Sequence, residues 1–214
     1  TLFIEARKKF NKDIDLSILD SIPGKTISLA ATIQYLDLIP QVEKYLEKQG
    51  KKVIIKQGAY HLGHVIGCNS NAFDKTSDTL LLLADGKFHA LNNAIQLNKE
   101  LYVYNTSKLE KITKQDLTKQ KQKTKAKQAK FLSSNNIGLI ISTKSGQHHK
   151  GAQELAKKIE KLDKQVYLFE TNNINIAELE NFPHIQIWVN TACYGLAMDD
   201  NKIINYQDIL KFLK

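Results

Sequence analysis

The chain has 214 residues, a net charge of +9 and 42% hydrophobic residues, with only three prolines and two cysteines. This composition is typical of a globular protein that buries a real core; it does not fit a secreted disulfide framework and therefore favours a reducing cytoplasm. No apolar run approaches the roughly 18 to 20 residues of a membrane span, and the first residues lack the layout of a signal peptide, so we expect no membrane partner.

Apolar segments of strand length alternate with helical patterns through the first half of the chain. The continuous apolar run over 79–84 is typical of a strand that is buried on both faces of a parallel sheet. Short connections between strands and helices indicate parallel strands joined by right-handed crossovers. The predicted strands are 26–31, 53–55, 79–84 and 101–104, and the predicted helices lie between Pro40 and Gly50 and over 90–97.

The same alternation begins again in the second half. Strands are predicted over 137–141, 166–169 and 185–189, with an amphipathic helix over 151–162. The first strands of the two halves lie about 110 positions apart, which predicts two similar domains rather than one large sheet. We expect an α/β protein whose two domains, 1–107 and 108–214, are each a small parallel β-sheet flanked by helices.

Most of the positive charge lies between Lys108 and Lys130, where nine lysines and two acidic residues give a local net charge of +7. We interpret this segment as a basic helix that opens the second domain. Such a stripe can mark a nucleic-acid or acidic-protein partner, although a solvated helix or linker is the simpler explanation. No aromatic residue interleaves the lysines before Phe131, which argues against a single-strand stacking platform.

Both cysteines lie in polar, glycine-containing loops directly after an apolar run, Cys68 after 65–67 and Cys193 after 185–189. In open α/β sheets, ligands bind at this carboxyl edge. A free cysteine taken alone is most often a small core residue, and a disulfide is disfavoured in a reducing compartment. Two thiolates are too few for a Cys₄ zinc site or a fully cysteine-ligated cluster. A metal cluster completed from outside the chain is consistent with this pattern.

Other polar residues also follow predicted strands. The loop 142–147, with Thr143 and Gln147, can hydrogen-bond an anionic or zwitterionic ligand, and Thr32 opens the loop after the first strand. His89 follows a buried strand and has a better claim to a functional role than the pair at 148–149. Asp199 could hold an amino group or a metal, or could serve in helix capping.

Six segments, taken together and in order, resemble the archaeal and eukaryotic diphthamide synthase family, the 2-(3-amino-3-carboxypropyl)histidine synthases. They are Phe3-Ile4-Glu5-Ala6-Arg7, Thr32-Ile33-Gln34, Gly63-His64-Val65-Ile66-Gly67-Cys68-Asn69, Asp85-Gly86-Lys87-Phe88-His89, Ser142-Thr143-Lys144-Ser145-Gly146-Gln147, and the stretch from Asn190-Thr191-Ala192-Cys193 to Asp199-Asp200.

The resemblance implies three similar α/β domains that each give one cysteine to a single 4Fe–4S cluster, whose fourth iron site is left for S-adenosylmethionine. It implies reductive cleavage that yields a 3-amino-3-carboxypropyl radical, which attacks the imidazole C2 of a histidine in elongation factor 2. Family enzymes work as homodimers in archaea and as a heterodimer in eukaryotes. The opening residues match the end of the first domain, so we expect another polypeptide or segment to supply that domain and the third cysteine.

Carried over by position, Cys68 and Cys193 match the cluster ligands of the second and third domains. Gln147, Thr143 and Asp199 are candidates for holding the methionine portion of S-adenosylmethionine, and Thr32 and His89 are further cofactor-binding candidates. The chain departs from the family at His64, where glutamine is usual. It departs again at 194–195, where Tyr-Gly replaces the usual Pro-Arg, and an arginine there could hold a carboxylate bidentately.

Two further hypotheses stay open. In the first, the chain is a non-catalytic partner that supports the cluster of a sister catalytic subunit. In the second, it is a basic nucleic-acid-binding α/β module, a hypothesis that depends on the lysines alone.

Overall fold

A computed structural model describes residues 4–10 and 14–213, so Phe3 of the first quoted segment lies outside the described residues. The chain forms two compact units, Leu2–Thr118 and Lys119–Lys214. This division falls later than the boundary at 107/108 expected from the sequence. The difference arises because residues 109–112 form a strand that pairs with the first sheet.

The first unit contains a five-stranded sheet in the order β2-β1-β3-β4-β5. Four strands are parallel, as the sequence predicted, and a fifth strand, β5, joins the edge antiparallel to β4. The elements are β1 (Thr26–Ala31), α1 (Ile39–Lys48), β2 (Lys52–Ile54), β3 (Thr79–Leu83), α2 (Phe88–Leu97), β4 (Leu101–Tyr104) and β5 (Leu109–Ile112).

The central strand β3 explains why this sheet is covered on both faces. All five of its residues are buried, as a continuous run of apolar side chains requires. Leu81 and Leu83 pack into one apolar cluster, together with Val42 and Leu46 of α1. Leu80 and Leu82 face the opposite cluster, which also contains residues of α2. Packing on both faces of the sheet therefore fixes the position of the carboxyl end of β3.

The second unit contains a fully parallel sheet in the order β7-β6-β8-β9. Its central strand is β6, whose last six residues are buried. The strands and helices are α3 (Lys114–Ser133, which begins in the first unit), β6 (Asn136–Ser142), α4 (Ala152–Glu160), β7 (Gln165–Thr171), β8 (Ile187–Asn190), α5 (Leu196–Asp199), β9 (Ile203–Asn205) and α6 (Tyr206–Ile209).

The lysine-rich segment is only partly the helix that its charge pattern predicted. Residues 109–112 are strand β5, and the helix α3 runs from Lys114 to Ser133. Leu117, Lys127 and Phe131 of α3 are buried, whereas Lys119, Lys123 and Lys125 are exposed. The helix thus keeps a narrow packed face and presents most of its charge to solvent.

The prediction of an α/β fold with small parallel sheets flanked by helices is confirmed, and parallel strands dominate both sheets. Among the residues that the structure describes, no helix combines the length and the apolar character needed to cross a lipid bilayer.

Candidate functional site

The loop that carries Cys68 is fastened to the carboxyl edge of the first sheet. The backbone N–H of Val65 donates to the carbonyl of Ala31 at 2.9 Å, and the N–H of Ala31 donates to the carbonyl of Gly63 at 2.8 Å. These bonds extend the end of β1 by an isolated parallel bridge between Ala31 and His64. Beyond this bridge the chain leaves the sheet, and the Cys68 thiol is exposed.

Cys68 lies within a tight turn that rests on helix α2. The N–H of Asn69 donates to the carbonyl of Ile66 at 3.1 Å, which closes the turn around Gly67 and Cys68. The side-chain amide of Gln96 donates to the carbonyl of Gly67 at 2.9 Å. The cysteine is therefore held at a defined point by backbone contacts, while its sulfur stays accessible.

The segment before this turn is compact because of a close backbone approach. A Cβ atom on Gly58 would lie 1.9 Å from the carbonyl oxygen of His64, so only glycine fits there.

The His64 imidazole is buried, and burial lowers its pKa, so the ring is neutral near pH 7. Its Nδ1 has no hydrogen-bond partner among the described residues.

The other predicted site residues of this unit lie at the same edge of the sheet. Thr32 follows β1 and its N–H donates to the carbonyl of Leu83 at 3.0 Å. His89 lies in the first turn of α2, and its Cδ2 is 3.9 Å from where a Cβ on Gly67 would stand. Burial lowers the pKa of His89. Thr32, His89 and the Cys68 loop thus share one edge of the first sheet.

Asp85, which follows β3, is engaged by two groups of this unit. Lys8 Nζ lies 2.7 Å from its carboxylate, and the Tyr35 hydroxyl donates to the other oxygen. The hydrogen bond from Lys8, followed by that from Tyr35, lowers the pKa of Asp85. The carboxylate is therefore ionised at neutral pH and fixes the start of the loop that leads into α2.

The Cys193 loop is built by a group of polar residues at the end of β8. Thr191 donates to the carbonyl of Ile140 through both its N–H, at 3.1 Å, and its hydroxyl, at 2.8 Å. The Asn190 amide donates to the carbonyl of Cys193 and to the side-chain oxygen of Asn205, each at 2.8 Å. The Cys193 thiol itself is exposed.

The loop with Thr143 and Gln147 emerges at the same edge as Cys193. Strands β6 and β8 are parallel neighbours with Ile140 opposite Asn190, so both carboxyl ends lie together. Thr143 and Gln147 are exposed, and the N–H of Gln147 closes a turn on the carbonyl of Lys144 at 3.0 Å. The structure therefore brings these two candidates to the side of the sheet that carries Cys193.

Asp199 ends α5, and its side chain lies outside what the structure describes.

Tyr194, which follows Cys193, is partly buried and lies close to β9 and α6. Its carbonyl accepts a hydrogen bond from the Asn205 amide at 3.1 Å. Burial, and then the charge of Asp208, raises the pKa of the Tyr194 phenol. The phenol therefore stays protonated and neutral at neutral pH.

Neither unit by itself offers a full set of metal ligands among the residues that the structure describes. Within the part of the chain that the structure describes, no three histidine, cysteine or acidic side chains come together as a metal-binding group. Each unit offers one exposed cysteine on a loop at the carboxyl edge of its sheet. Such a thiol can act as one ligand of a larger centre, and further ligands have to come from elsewhere.

Several polar residues at these loops were not identified from the sequence. Asn92, Asn93 and Gln96 of α2 lie beneath or beside the Cys68 turn, and Asn190 and Asn205 brace the Cys193 loop. The sequence alone could have pointed to Asn92 and Asn93. Asparagine is unfavourable inside a helix, so two in succession indicate a specific local role.

Comparison with known proteins gives a consistent picture. A family model described as "Putative diphthamide synthesis protein" matches residues 1–207. The chain is 28% identical to 2-(3-amino-3-carboxypropyl)histidine synthase of Methanocaldococcus jannaschii, over 94% of this chain and 56% of that protein. It is 22% identical to subunit 1 of the human synthase, over 92% of this chain and 46% of that protein. The chain spans about half the length of the curated relatives that it matches.

Solved structures show the same fold. A crystal structure of Dph2 from Pyrococcus horikoshii superposes with a TM-score of 0.79 and 25% identity, over 89% of this chain and 57% of that chain. A second crystal structure of that protein, with a TM-score of 0.78 and 24% identity, contains a 4Fe–4S cluster.

Proposed function

This chain belongs to the diphthamide synthesis protein family, and from that membership we propose that it forms part of a 4Fe–4S, S-adenosylmethionine-dependent transferase. The reaction transfers a 3-amino-3-carboxypropyl group to the imidazole C2 of a histidine in elongation factor 2. This is the first step of diphthamide biosynthesis.

One observation carries the proposal. Each unit holds a single exposed cysteine on a loop that backbone hydrogen bonds fasten to the carboxyl edge of a mainly parallel sheet. This is the position at which α/β sheets bind ligands. A thiol held there is accessible to iron and needs no rearrangement of the core. The cluster seen in the second Dph2 structure supports the choice of a 4Fe–4S centre for this chain.

Cys68 and Cys193 are the proposed cluster ligands within these 214 residues. Since a site-differentiated cluster of this type takes three cysteines, the third comes from outside the 214 residues, in the same polypeptide or a partner. When bound, the cluster supplies the electron that cleaves S-adenosylmethionine. Thr143 and Gln147, exposed beside the Cys193 loop, are proposed to hydrogen-bond the methionine portion, with Asp199, Thr32 and His89 as further contacts.

The protein substrate is proposed to approach the basic helix α3. Its exposed lysines, including Lys119, Lys123 and Lys125, form a positive surface without an acidic residue between Leu117 and Ser133. Such a surface attracts an acidic protein and speeds its association. The working enzyme is proposed to be a cytoplasmic homo- or hetero-oligomer.

The test is a transfer assay. The chain, together with the polypeptide that completes it, is reconstituted anaerobically with iron and sulfide and given elongation factor 2, a reductant and S-adenosylmethionine labelled in its aminocarboxypropyl carbons. We expect the label on one histidine of the factor, and we expect Cys193→Ser to abolish it.

Exposed Ser21, which precedes β1, provides the control, because Ser21→Ala removes a similar small polar group outside the proposed site. Absence of labelling in the parent complex would contradict the proposal. Full labelling by the Cys193→Ser complex would instead favour the supporting role, in which a sister subunit holds the catalytic cluster.

A further inference from the structure

Asn92, in the middle of helix α2, is an asparagine whose side chain is buried without a partner. Only 1% of the residue is exposed. Neither its amide nitrogen nor its amide oxygen has a hydrogen-bond partner among the residues that the structure describes. Buried polar atoms are nearly always paired in folded proteins, so each exception calls for an explanation.

Such unpaired atoms are concentrated at one place. Four buried side-chain atoms in the described part of the chain lack a partner, and three of them belong to Asn92 and its neighbour Asn93. An unpaired buried amide destabilises the folded state, and a leucine, whose side chain branches in the same way, would leave no polar atom unpaired. Stability alone therefore does not account for asparagine at this position.

The Asn92 amide is directed at the turn that carries Cys68. Its Nδ2 lies 3.5 Å from the point where a Cβ of Gly67 would stand, and Gly67 directly precedes Cys68. Because Gly67 has no Cβ atom, the amide lies directly against the backbone of the turn at this point. Gln96 holds the carbonyl of Gly67 at 2.9 Å, and Asn93 approaches the carbonyl of Ile66 at 3.5 Å. The turn is thus fixed over α2, with the Asn92 amide beneath it.

We propose that the Asn92 amide donates an N–H···S hydrogen bond to sulfur at the Cys68 corner of the bound iron–sulfur cluster, which makes Asn92 a positioning residue for the cluster. The inference rests on the proposed function. An amide offers two N–H donors, and a thiolate or sulfide accepts them. Hydrogen bonds to the sulfurs of a cluster are among the factors that set its reduction potential.

The direction of the effect follows from charge. Reduction adds one electron to the cluster, so its sulfurs accept hydrogen bonds more strongly in the reduced state. A donor at Cys68 therefore stabilises the reduced state more than the oxidised one and raises the potential. Loss of the donor makes the cluster harder to reduce.

The experiment compares the parent with Asn92→Leu and Asn92→Ala in the completed, reconstituted complex, with redox titration followed by electron paramagnetic resonance. We expect the equilibrium constant for reduction to fall by up to about tenfold, which corresponds to about 59 mV for a one-electron couple. Without the cluster, we expect Asn92→Leu to raise the melting temperature, because it removes an unpaired amide. Asn92→Ala keeps the test valid if leucine does not fit.

Gln96→Ala is the matched control. It removes the hydrogen bond to the carbonyl of Gly67 and loosens the turn, yet it leaves the Asn92 amide in place. A purely structural role for Asn92 predicts the same outcome for both changes, namely lower cluster occupancy with an unchanged potential. The proposal predicts a lower potential for the Asn92 variants alone.

The possible failures are distinguishable. If the parent complex forms no cluster, the proposed function fails and this inference fails with it. If the cluster forms and the potential is the same in parent and Asn92 variants, only this inference is overturned.

Discussion

The side-chain amide nitrogen of Asn190 lies 2.8 Å from the carbonyl oxygen of Cys193. Asn190 is the last residue of β8 and is almost completely buried. The same nitrogen donates to the Asn205 side chain, whose own amide reaches the carbonyl of Tyr194. The loop that presents the Cys193 thiol is therefore braced from inside the second unit, by side chains that bind its backbone carbonyls.

Removal of this brace gives the first prediction. Asn190→Ala removes the hydrogen bond to the carbonyl of Cys193 and leaves the buried Asn205 side-chain oxygen without its donor, so we expect the free energy of unfolding to fall by about 1–3 kcal/mol. Urea unfolding followed by circular dichroism measures the change. Asn173→Ala, at an exposed asparagine of the same unit, is the control and should leave the midpoint unchanged. Equal midpoints for both variants would show that the network does not brace the loop.

The second prediction concerns the packing of the sheet behind Cys193. A Cβ on Gly138 in β6 would lie 2.3 and 2.4 Å from carbon atoms of the Trp188 ring, and that ring is buried. We expect Gly138→Ala to destabilise the protein by about 1–3 kcal/mol, because the ring must shift out of its packed position. In Gly151→Ala, the new Cβ meets its nearest neighbour at 3.5 Å, so thermal unfolding should change little. Equal melting temperatures for the two variants would show that position 138 has more room beside Trp188 than these distances indicate.

The third prediction is a pH dependence at the start of the first sheet. The carboxylate of Asp78 accepts hydrogen bonds from the backbone N–H of Thr26 at 2.8 Å and of Lys25 at 2.9 Å. These bonds, that from Thr26 first, lower the pKa of Asp78. Its contribution to stability is therefore present above the unfolded pKa, about 3.9, and is lost as the pH falls through the lower folded pKa.

The change to test this is Asp78→Asn, which keeps the shape and removes the charge. We expect a lower melting temperature than the parent at pH 7 and a difference that shrinks steadily below about pH 4. Melting curves between pH 7 and pH 2 measure this directly. A difference of constant size across that range would mean that the ionised carboxylate is not the stabilising form.

The fourth prediction concerns the exposed lysines of α3. Replacing Lys119, Lys123 and Lys125 with glutamine should weaken association with elongation factor 2 by roughly tenfold at low salt, and the effect should shrink as salt rises. Surface plasmon resonance at two salt concentrations measures it. The control replaces three exposed lysines outside the helix, Lys157, Lys158 and Lys161. Equal losses for both triple variants would indicate a general effect of net charge.

Much of the fold could be predicted from the sequence because the central strands are strongly apolar. The predicted range of β1 coincides with the structure, and β3 differs by one residue. Two edge strands were missed for local reasons: β5 reads Leu-Glu-Lys-Ile, half of it charged, and β9 has only three residues. The charged residues of β5 hide its apolar period, and β9, although all three of its residues are buried, is too short to show one.

The candidate site was predictable only in outline. The loop position of Cys68 and Cys193 followed from the strands that precede them. The contacts that hold those loops depend on tertiary neighbours: Gln96 is 29 positions from Gly67, and Thr191 is 51 positions from Ile140. Sequence spacing carries no information about such pairs. The relation of Asn92 to Gly67 likewise depends on how α2 packs under the turn.

The most direct test of the account measures iron and acid-labile sulfide, together with the Mössbauer spectrum, in the anaerobically reconstituted complex. The samples are the parent, Cys68→Ala, Cys193→Ala and the double variant. If both cysteines are ligands, the parent shows the spectrum of a 4Fe–4S cluster, each single variant retains a degraded or substoichiometric cluster, and the double variant retains none. A full complement of 4Fe–4S cluster bound to the double variant would contradict the claim that Cys68 and Cys193 hold it.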